Sequence, residues 1–254
     1  AHALCPDMEQ LVFELAYVLN HTGAEPNATA EKIGSMVPSL VTVRDDIAIE
    51  WATAYNRAHR YDEAIRVLEG HDFIPCEGGE TALAKQYIAA WYGKGIDLRA
   101  AGKDAEALEA FRRAEVLPES LGAGLWHMAT IVPAQYEEAL LLEKAGDCDA
   151  AFKIYDYFNT LYVDFFSNMN LPLLPVYQAL GDIRMGKTDE AKALLEKAIA
   201  GWKFERERHD SGYFGTTPFF ISYMDDPHTA RVKNYDALIA TAEAVLDGTS
   251  DLLK

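Results

Sequence analysis

Two carboxylates that flank a glycine pair are the sharpest chemical feature of the sequence. Glu77 and Glu80 enclose Gly78 and Gly79 in the stretch EGGE. The glycines permit positive φ and a close approach of the backbone. One interpretation makes the two carboxylates the acid and the base of a hydrolase. Two others stay open: the glutamates cap the positive end of the following helix, or they face a groove and bind a polar or cationic ligand group.

Aromatic and charged residues at helical positions make a second candidate site. The inner face of a helical-repeat groove is lined mainly by the first helix of each hairpin. The residues expected to point inward are Tyr92, Arg99, Tyr136, Glu143 and Asn56. Rings with a few polar groups suit a peptide or a sugar, but Tyr92 and Tyr136 are equally suited to helix packing. The predicted ligand-binding set is Glu77, Glu80, Tyr92, Arg99, Tyr136 and Tyr213.

Other groups of reactive residues lack the spacing that their chemistry needs. Two clusters contain metal-ligating types without a C-x-x-C or H-E-x-x-H pattern, and they are His71, Asp72, Cys76 and Asp225, Asp226, His228. Residues 209–211 place His, Asp and Ser side by side, but catalytic triads are assembled in space rather than in sequence. Phosphate loops and nucleophile elbows are also missing. We therefore predict no metal, no cofactor and no catalytic residue, and a binding protein is expected ahead of an enzyme.

Charge and hydropathy narrow the class of partner. The 254 residues carry a formal net charge of −17, which repels nucleic acid and favours basic partners. We find no apolar run long enough to cross a bilayer and no signal peptide. Three widely spaced cysteines argue against a disulfide framework and favour the cytoplasm. The start at Ala1 suggests a fragment of a longer protein, and the oligomeric state stays open.

One stretch, residues 91–114, shows which elements must hold these residues. It combines large residues, small residues and a turn glycine at the offsets of a tetratricopeptide (TPR) hairpin: Trp91, Gly95, Gly102, Ala107, Phe111 and Ala114. In such a hairpin a glycine forms the turn, and a small residue early in the second helix lets the two helices approach closely. The pattern predicts an all-α, right-handed TPR-like superhelix.

Related hairpins recur along the chain at a longer period. The small residues that open the second helices, Ala64, Ala107, Ala151 and Ala191, are 43, 44 and 40 residues apart, against about 34 in a plain TPR. The extra residues fall in the connectors, where insertions often form a binding face. We predict one solenoid domain over residues 1–254, with hairpins at about 8–36, 45–69, 80–116, 134–161 and 175–202 and a capping helix at 227–247.

The longest stretch without helical periodicity, residues 204–226, contains six aromatic residues, among them Tyr213. Loops of this length in compact proteins are uncommon and usually functional or disordered, and aromatic content argues against disorder. We expect it to fold back onto the solenoid.

Three connectors resemble the TPR array of bacterial proteins that carry a galactose-mutarotase-like β-sandwich of unassigned function. The resemblance runs from about Pro38 to Gly248. It rests on Phe73 with residues 77–80, on Pro118 with residues 121, 122 and 124, and on residues 213–214, 218–219 and 225–226. Cys76 and Ser120 stand where the family tends to have Trp and Asn, and residues 125–135 diverge. The resemblance implies a link to carbohydrate metabolism but no settled activity for the array.

Three functions follow as hypotheses. The first is a scaffold whose groove recognises a protein or peptide. The second is an accessory array of a carbohydrate-active protein, in which the EGGE, PESLG and 204–226 connectors meet in one pocket. The third is an oligomerisation platform whose connectors serve packing alone.

Overall fold

The computed structural model describes residues 8–37, 39–40, 42–74, 80–122, 131–161, 172–207 and 227–253. All regular elements in these ranges are helical, which confirms an all-α chain for the described residues. The α-helices are α1 Glu9–His21, α2 Pro26–Met36, α3 Asp45–Arg57, α4 Tyr61–Glu69, α5 Glu80–Ala100, α6 Asp104–Ala114, α7 Val132–Lys144, α8 Cys148–Phe158, α9 Leu174–Arg184, α10 Thr188–Glu207 and α11 Pro227–Leu246. Short 3-10 helices cover Glu119–Leu121 and Asp251–Leu253.

The same turn joins α3 to α4, α5 to α6, α7 to α8 and α9 to α10. In each turn one residue has a left-handed backbone, and the four are His59, Gly102, Gly146 and Gly186, with φ of 56°, 74°, 88° and 79°. The amide of the next residue donates to a carbonyl five residues earlier, as from Lys103 to Leu98 at 2.9 Å. The second helix then begins at the following residue. Such a turn satisfies carbonyls at the helix end, and glycine adopts it without strain.

An alanine five residues after each of these turn residues lets the two helices approach. Ala64, Ala107, Ala151 and Ala191 are all buried. In the α5–α6 hairpin the contact is tighter still, because a Cβ added at Gly95 would lie 2.4 Å from the Phe111 ring. The turn and the small residue therefore form one unit, which explains why the spacings read from the sequence coincide with those of the turns.

The chain divides into two compact units, Ala1–Leu141 and Leu142–Lys254. In the first unit α1, α3 and α5 lie side by side, and α2, α4 and α6 pack behind them around a core that includes Ile33, Leu68 and Phe111. In the second unit α9 packs against α8, α10 and α11. None of the helices in the described ranges is both long and apolar enough to pass through a lipid bilayer.

Candidate functional site

We call the first helix of each hairpin its A helix. Three positions before each of four turns, a polar side chain of one A helix pairs with a side chain of a neighbouring A helix. In the first unit these pairs are Asn20 with Glu50 at 2.6 Å, Asn56 with Gln86 at 2.9 Å, and Arg99 with Glu137. In the second unit Arg184 pairs with Glu143 at 3.5 Å. The turn residues that follow are Gly23, His59, Gly102 and Gly146. The pairs fix the register of neighbouring A helices and mark the edges of their outward surfaces.

Residues on one side of each A helix of the first unit make up a set that we call the A-helix face. It consists of exposed or half-buried residues from three helices: Tyr17 and His21 of α1, Ile49 and Thr53 of α3, and Lys85, Ala89, Tyr92 and Ile96 of α5. Their spacing of three or four residues puts each set on one side of its helix. The Tyr17 and His21 rings stack with centroids 4.0 Å apart. Rings, small apolar side chains and a lysine together suit contact with another polypeptide.

Two of the predicted site residues, Tyr92 and Arg99, come together on α5. Tyr92 is half-buried against Phe111, with ring centroids 6.0 Å apart. Burial, and then the nearby Glu137 carboxylate, raise the pKa of Tyr92 to about 12, so its hydroxyl keeps its proton at neutral pH. Arg99 donates to Glu137 of α7. Burial raises the pKa of Glu137, and Arg99 offsets part of that rise. These residues can offer a hydroxyl and a guanidinium edge at the border of the A-helix face.

Tyr136 does not line a surface, and the expectation that it points into a groove is wrong. Its side chain is fully buried, so no ligand can reach it. The next two residues of α7, Glu137 and Glu138, are the ones that reach α5 and α6. The packing interpretation of Tyr136 therefore holds.

The remaining predicted site residues are located only in part. Glu77 and Tyr213 lie outside the described residues. Glu80 is the first residue of α5, which is the position that the capping interpretation requires.

Two of the three long connectors contact each other in the first unit. The amide of Phe73 donates to the Ser120 carbonyl at 2.8 Å, and Phe73 and Leu121 are buried in the same core. Of the third connector, predicted as residues 204–226, the first four residues belong to α10, and residues 208–226 lie outside the described ranges. The PESLG connector therefore joins residues 70–74 as part of the packed core.

His71, one of the candidate metal ligands, holds this connector to α3. Its Nδ1 lies 2.9 Å from the Leu40 carbonyl, and its Nε2 lies 2.7 Å from an Asp45 carboxylate oxygen. The Leu40 carbonyl can only accept, so the ring donates to it from Nδ1. The other Asp45 oxygen accepts from the amide of Ile74 at 2.9 Å. Within the described residues no group of three His, Cys, Asp or Glu side chains is arranged to hold a metal.

A pair of carboxyl groups between α6 and α7 was missed by the sequence analysis. Glu138 accepts from Arg112 at 2.8 Å, and Glu115 accepts from Gln135 at 3.0 Å. Burial, followed by a hydrogen bond to Glu138, raises the pKa of Glu115 to about 7. The raised pKa favours the protonated form of Glu115 beside Glu138. Glu115 and Glu138 are 23 positions apart in the sequence, and nothing in that stretch signalled that the two would meet.

No protein-family model, no curated protein and no solved structure matches the chain. The site is therefore defined by its own geometry: stacked helical hairpins, polar pairs between successive A helices, and the surface that those pairs border.

Proposed function

We propose that the chain is a TPR-type binding module and that the A-helix face receives a segment of a protein partner. The observation that carries this proposal is the juxtaposition of α1, α3 and α5, whose outward residues on the A-helix face are mainly rings and apolar or small side chains. Aromatic residues are enriched where proteins meet, and charged residues are depleted at the centre of such contacts. The half-exposed Tyr92 and Ile96 are the expected anchor points.

The charge of the protein adds a preference for the partner. A net charge of −17 attracts basic proteins over a distance of about one Debye length, roughly 8 Å at physiological salt. The A-helix face itself contributes Lys85, with Arg99 at its border. We propose a partner that is basic overall and that docks through apolar and aromatic side chains, in the cytoplasm.

A matched pair of substitutions tests the face. Ala89 lies on the A-helix face and Ala105 lies on α6, away from it, and both are exposed helical alanines. Peptides selected by the wild-type protein from a random-peptide display library should lose their affinity for Ala89→Arg and keep it for Ala105→Arg. Retention of binding by Ala89→Arg would remove the A-helix face as the docking surface.

A second candidate, the accessory array of a carbohydrate-active protein, is favoured by one contact. The connectors around Phe73 and Ser120 meet, as a shared pocket requires. An array of bacterial and plant oligosaccharides should then retain the protein, and Glu119→Gln, at the exposed edge of the PESLG connector, should weaken that retention. Absence of binding to every glycan would leave the protein-binding proposal alone.

A further inference from the structure

A cavity of about 370 Å³ opens beside the turn between α3 and α4, on the side of α5 that faces α4. Its walls include His59, Tyr61, Lys94, Asp97, Leu98 and Lys103. Residues 94, 97, 98 and 101 of α5 line it. At helical spacing they lie on the side of α5 opposite to its A-helix-face residues, so the two surfaces are separate. We call this cavity the α4–α5 cleft.

Two residue choices that cost stability meet in the cleft. His59 has the left-handed backbone that glycine supplies in the other three turns of this type, and an L side chain there costs about 1–2 kcal/mol. Its Nδ1 lies 3.0 Å from the Tyr61 hydroxyl. Gly93 lies inside α5, where a Cβ would come within 2.3 Å of the Tyr61 ring. One unfavourable choice puts an imidazole at the mouth of the cleft, and the other makes room for the phenol in its wall.

Most charges of the cleft are neutralised within the chain. Lys94 pairs with Asp62 at 2.6 Å, which joins the α4 wall to the α5 wall. Arg60 pairs with both Glu31 and Glu63.

One acidic and one basic side chain of the cleft are exposed to solvent. Asp97 is exposed, and Lys103, at 54% side-chain exposure, has only a 3.4 Å contact with the exposed Glu106. Exposed pairs of that kind contribute little. The cleft therefore presents one carboxylate, one ammonium and one imidazole around the apolar side chains of Leu98 and Ala101.

From this arrangement we propose that the α4–α5 cleft binds a small zwitterion of the amino-acid class. The ammonium group of the ligand pairs with Asp97, its carboxylate pairs with Lys103, and its side chain lies on Leu98 and Ala101. The imidazole of His59, held by Tyr61, offers its Nε2 to the same ligand. A volume near the lower end of the range for ligand sites, roughly 300–1,000 Å³, suits a molecule of this size.

The proposal is independent of the A-helix face, and binding to the full chain tests it. The probes are the free amino acids, each added singly and followed by saturation-transfer NMR and then by calorimetry. At least one should bind, and both its N-acetyl derivative and its amide should bind at least about tenfold more weakly, because one ion pair is lost in each. If no free amino acid binds, or if the N-acetyl amide, in which both charges are blocked, binds as tightly as the free amino acid, the cleft is not a zwitterion site.

Charge-matched variants assign the two ionic groups. Asp97→Asn and Lys103→Met should each weaken binding at least about tenfold, whereas Glu109→Gln and Lys153→Met, exposed substitutions elsewhere with the same changes in charge, should not. Circular dichroism shows whether each variant keeps its helices. Equal affinities for the cleft variants and their controls would overturn the assignment.

His59→Gly separates binding from stability. Because glycine relieves the left-handed backbone, this variant should melt about 2–4 °C higher than the wild type while binding the selected amino acid more weakly. Gly186→His places the same side chain in the corresponding turn between α9 and α10, where a Cβ meets nothing within 4 Å. It should melt lower and bind as the wild type does. If His59→Gly binds the amino acid as tightly as the wild type, the imidazole has no part in the site.

Discussion

Glu137 and Glu138 are neighbours on α7, both buried, yet they meet different surroundings. Glu137 faces α5 and has Arg99 as its ionic partner. Glu138 faces α6, where Arg112 donates to it from a side chain that is 52% exposed. A second carboxyl, Glu115, stands beside Glu138, and burial followed by that neighbour raises its pKa to about 7.

The difference separates two ways of burying a carboxylate in a stack of helices. At the α5–α7 contact a cation balances the charge, so the contact depends on Arg99 being present. At the α6–α7 contact Arg112 donates to Glu138, and the pKa of the neighbouring Glu115 is raised, so the contact depends on pH. The α5–α7 contact lies at the border of the A-helix face and holds α7 against α5. The α6–α7 contact lies behind that face and makes the packing of α7 sensitive to protonation.

The largest effect is expected at the pair that depends on its cation. Arg99→Met leaves Glu137 buried without its partner, and loss of one member of a buried pair costs about 3–5 kcal/mol. The free energy of unfolding in urea measures this loss. Adding Glu137→Gln to Arg99→Met should restore part of it, because the unpaired charge is then gone.

An exposed pair provides the contrast for this prediction. Lys103→Met removes the cation from a contact in which both side chains are more than half exposed, and the cost should stay below about 1 kcal/mol. Equal losses for Arg99→Met and Lys103→Met would mean that burial of Glu137 does not govern the contact.

The same contrast shows what the sequence could predict. Turn glycines and alanines act locally, so their spacing indicated the hairpins, and the projection along A helices found Asn56, Arg99 and Glu143, which all pair with neighbouring A helices. The rotation of α7 about its axis depends on tertiary packing, and Tyr136 was therefore placed on the wrong side. The α4–α5 cleft had one local signal that went unused, the histidine at 59 where the later turns have glycine.

A smaller loss is expected at Glu50, where the partner is an amide instead of a cation. Burial raises the pKa of Glu50 and the Asn20 amide lowers it, through a donor that also bonds the Glu50 carbonyl at 2.8 Å. Asn20→Ala leaves both acceptors without that donor, at a cost of about 1–3 kcal/mol in the free energy of unfolding. Exposed Asn27→Ala should change it by less than about 0.5 kcal/mol. Similar values for the two variants would show that the amide does not support the α1–α3 contact.

The smallest effect on stability is expected from the titration of Glu115, and its sign is set by the raised pKa of that carboxyl. The folded protein binds this proton up to a pKa of about 7, whereas the unfolded chain releases it near 4.5, so stability falls as the pH rises between those values. Because Glu115 is only partly buried, the change is on the order of 1 kcal/mol.

Glu115→Gln keeps the hydrogen-bonding shape and removes the titration. Urea midpoints measured from pH 4.5 to 7.5 should therefore fall less steeply in Glu115→Gln than in the wild type, with a residual slope from Glu50 and Glu137, whose pKa values are also raised. The groups that face Glu115 are Glu138, Arg112 and Gln135, so Gln135→Leu, which removes the only one of these donors that bonds Glu115, should steepen the wild-type slope. Identical slopes in all three proteins would show that the α6–α7 contact holds no proton, and that both α7 glutamates are ordinary ion pairs.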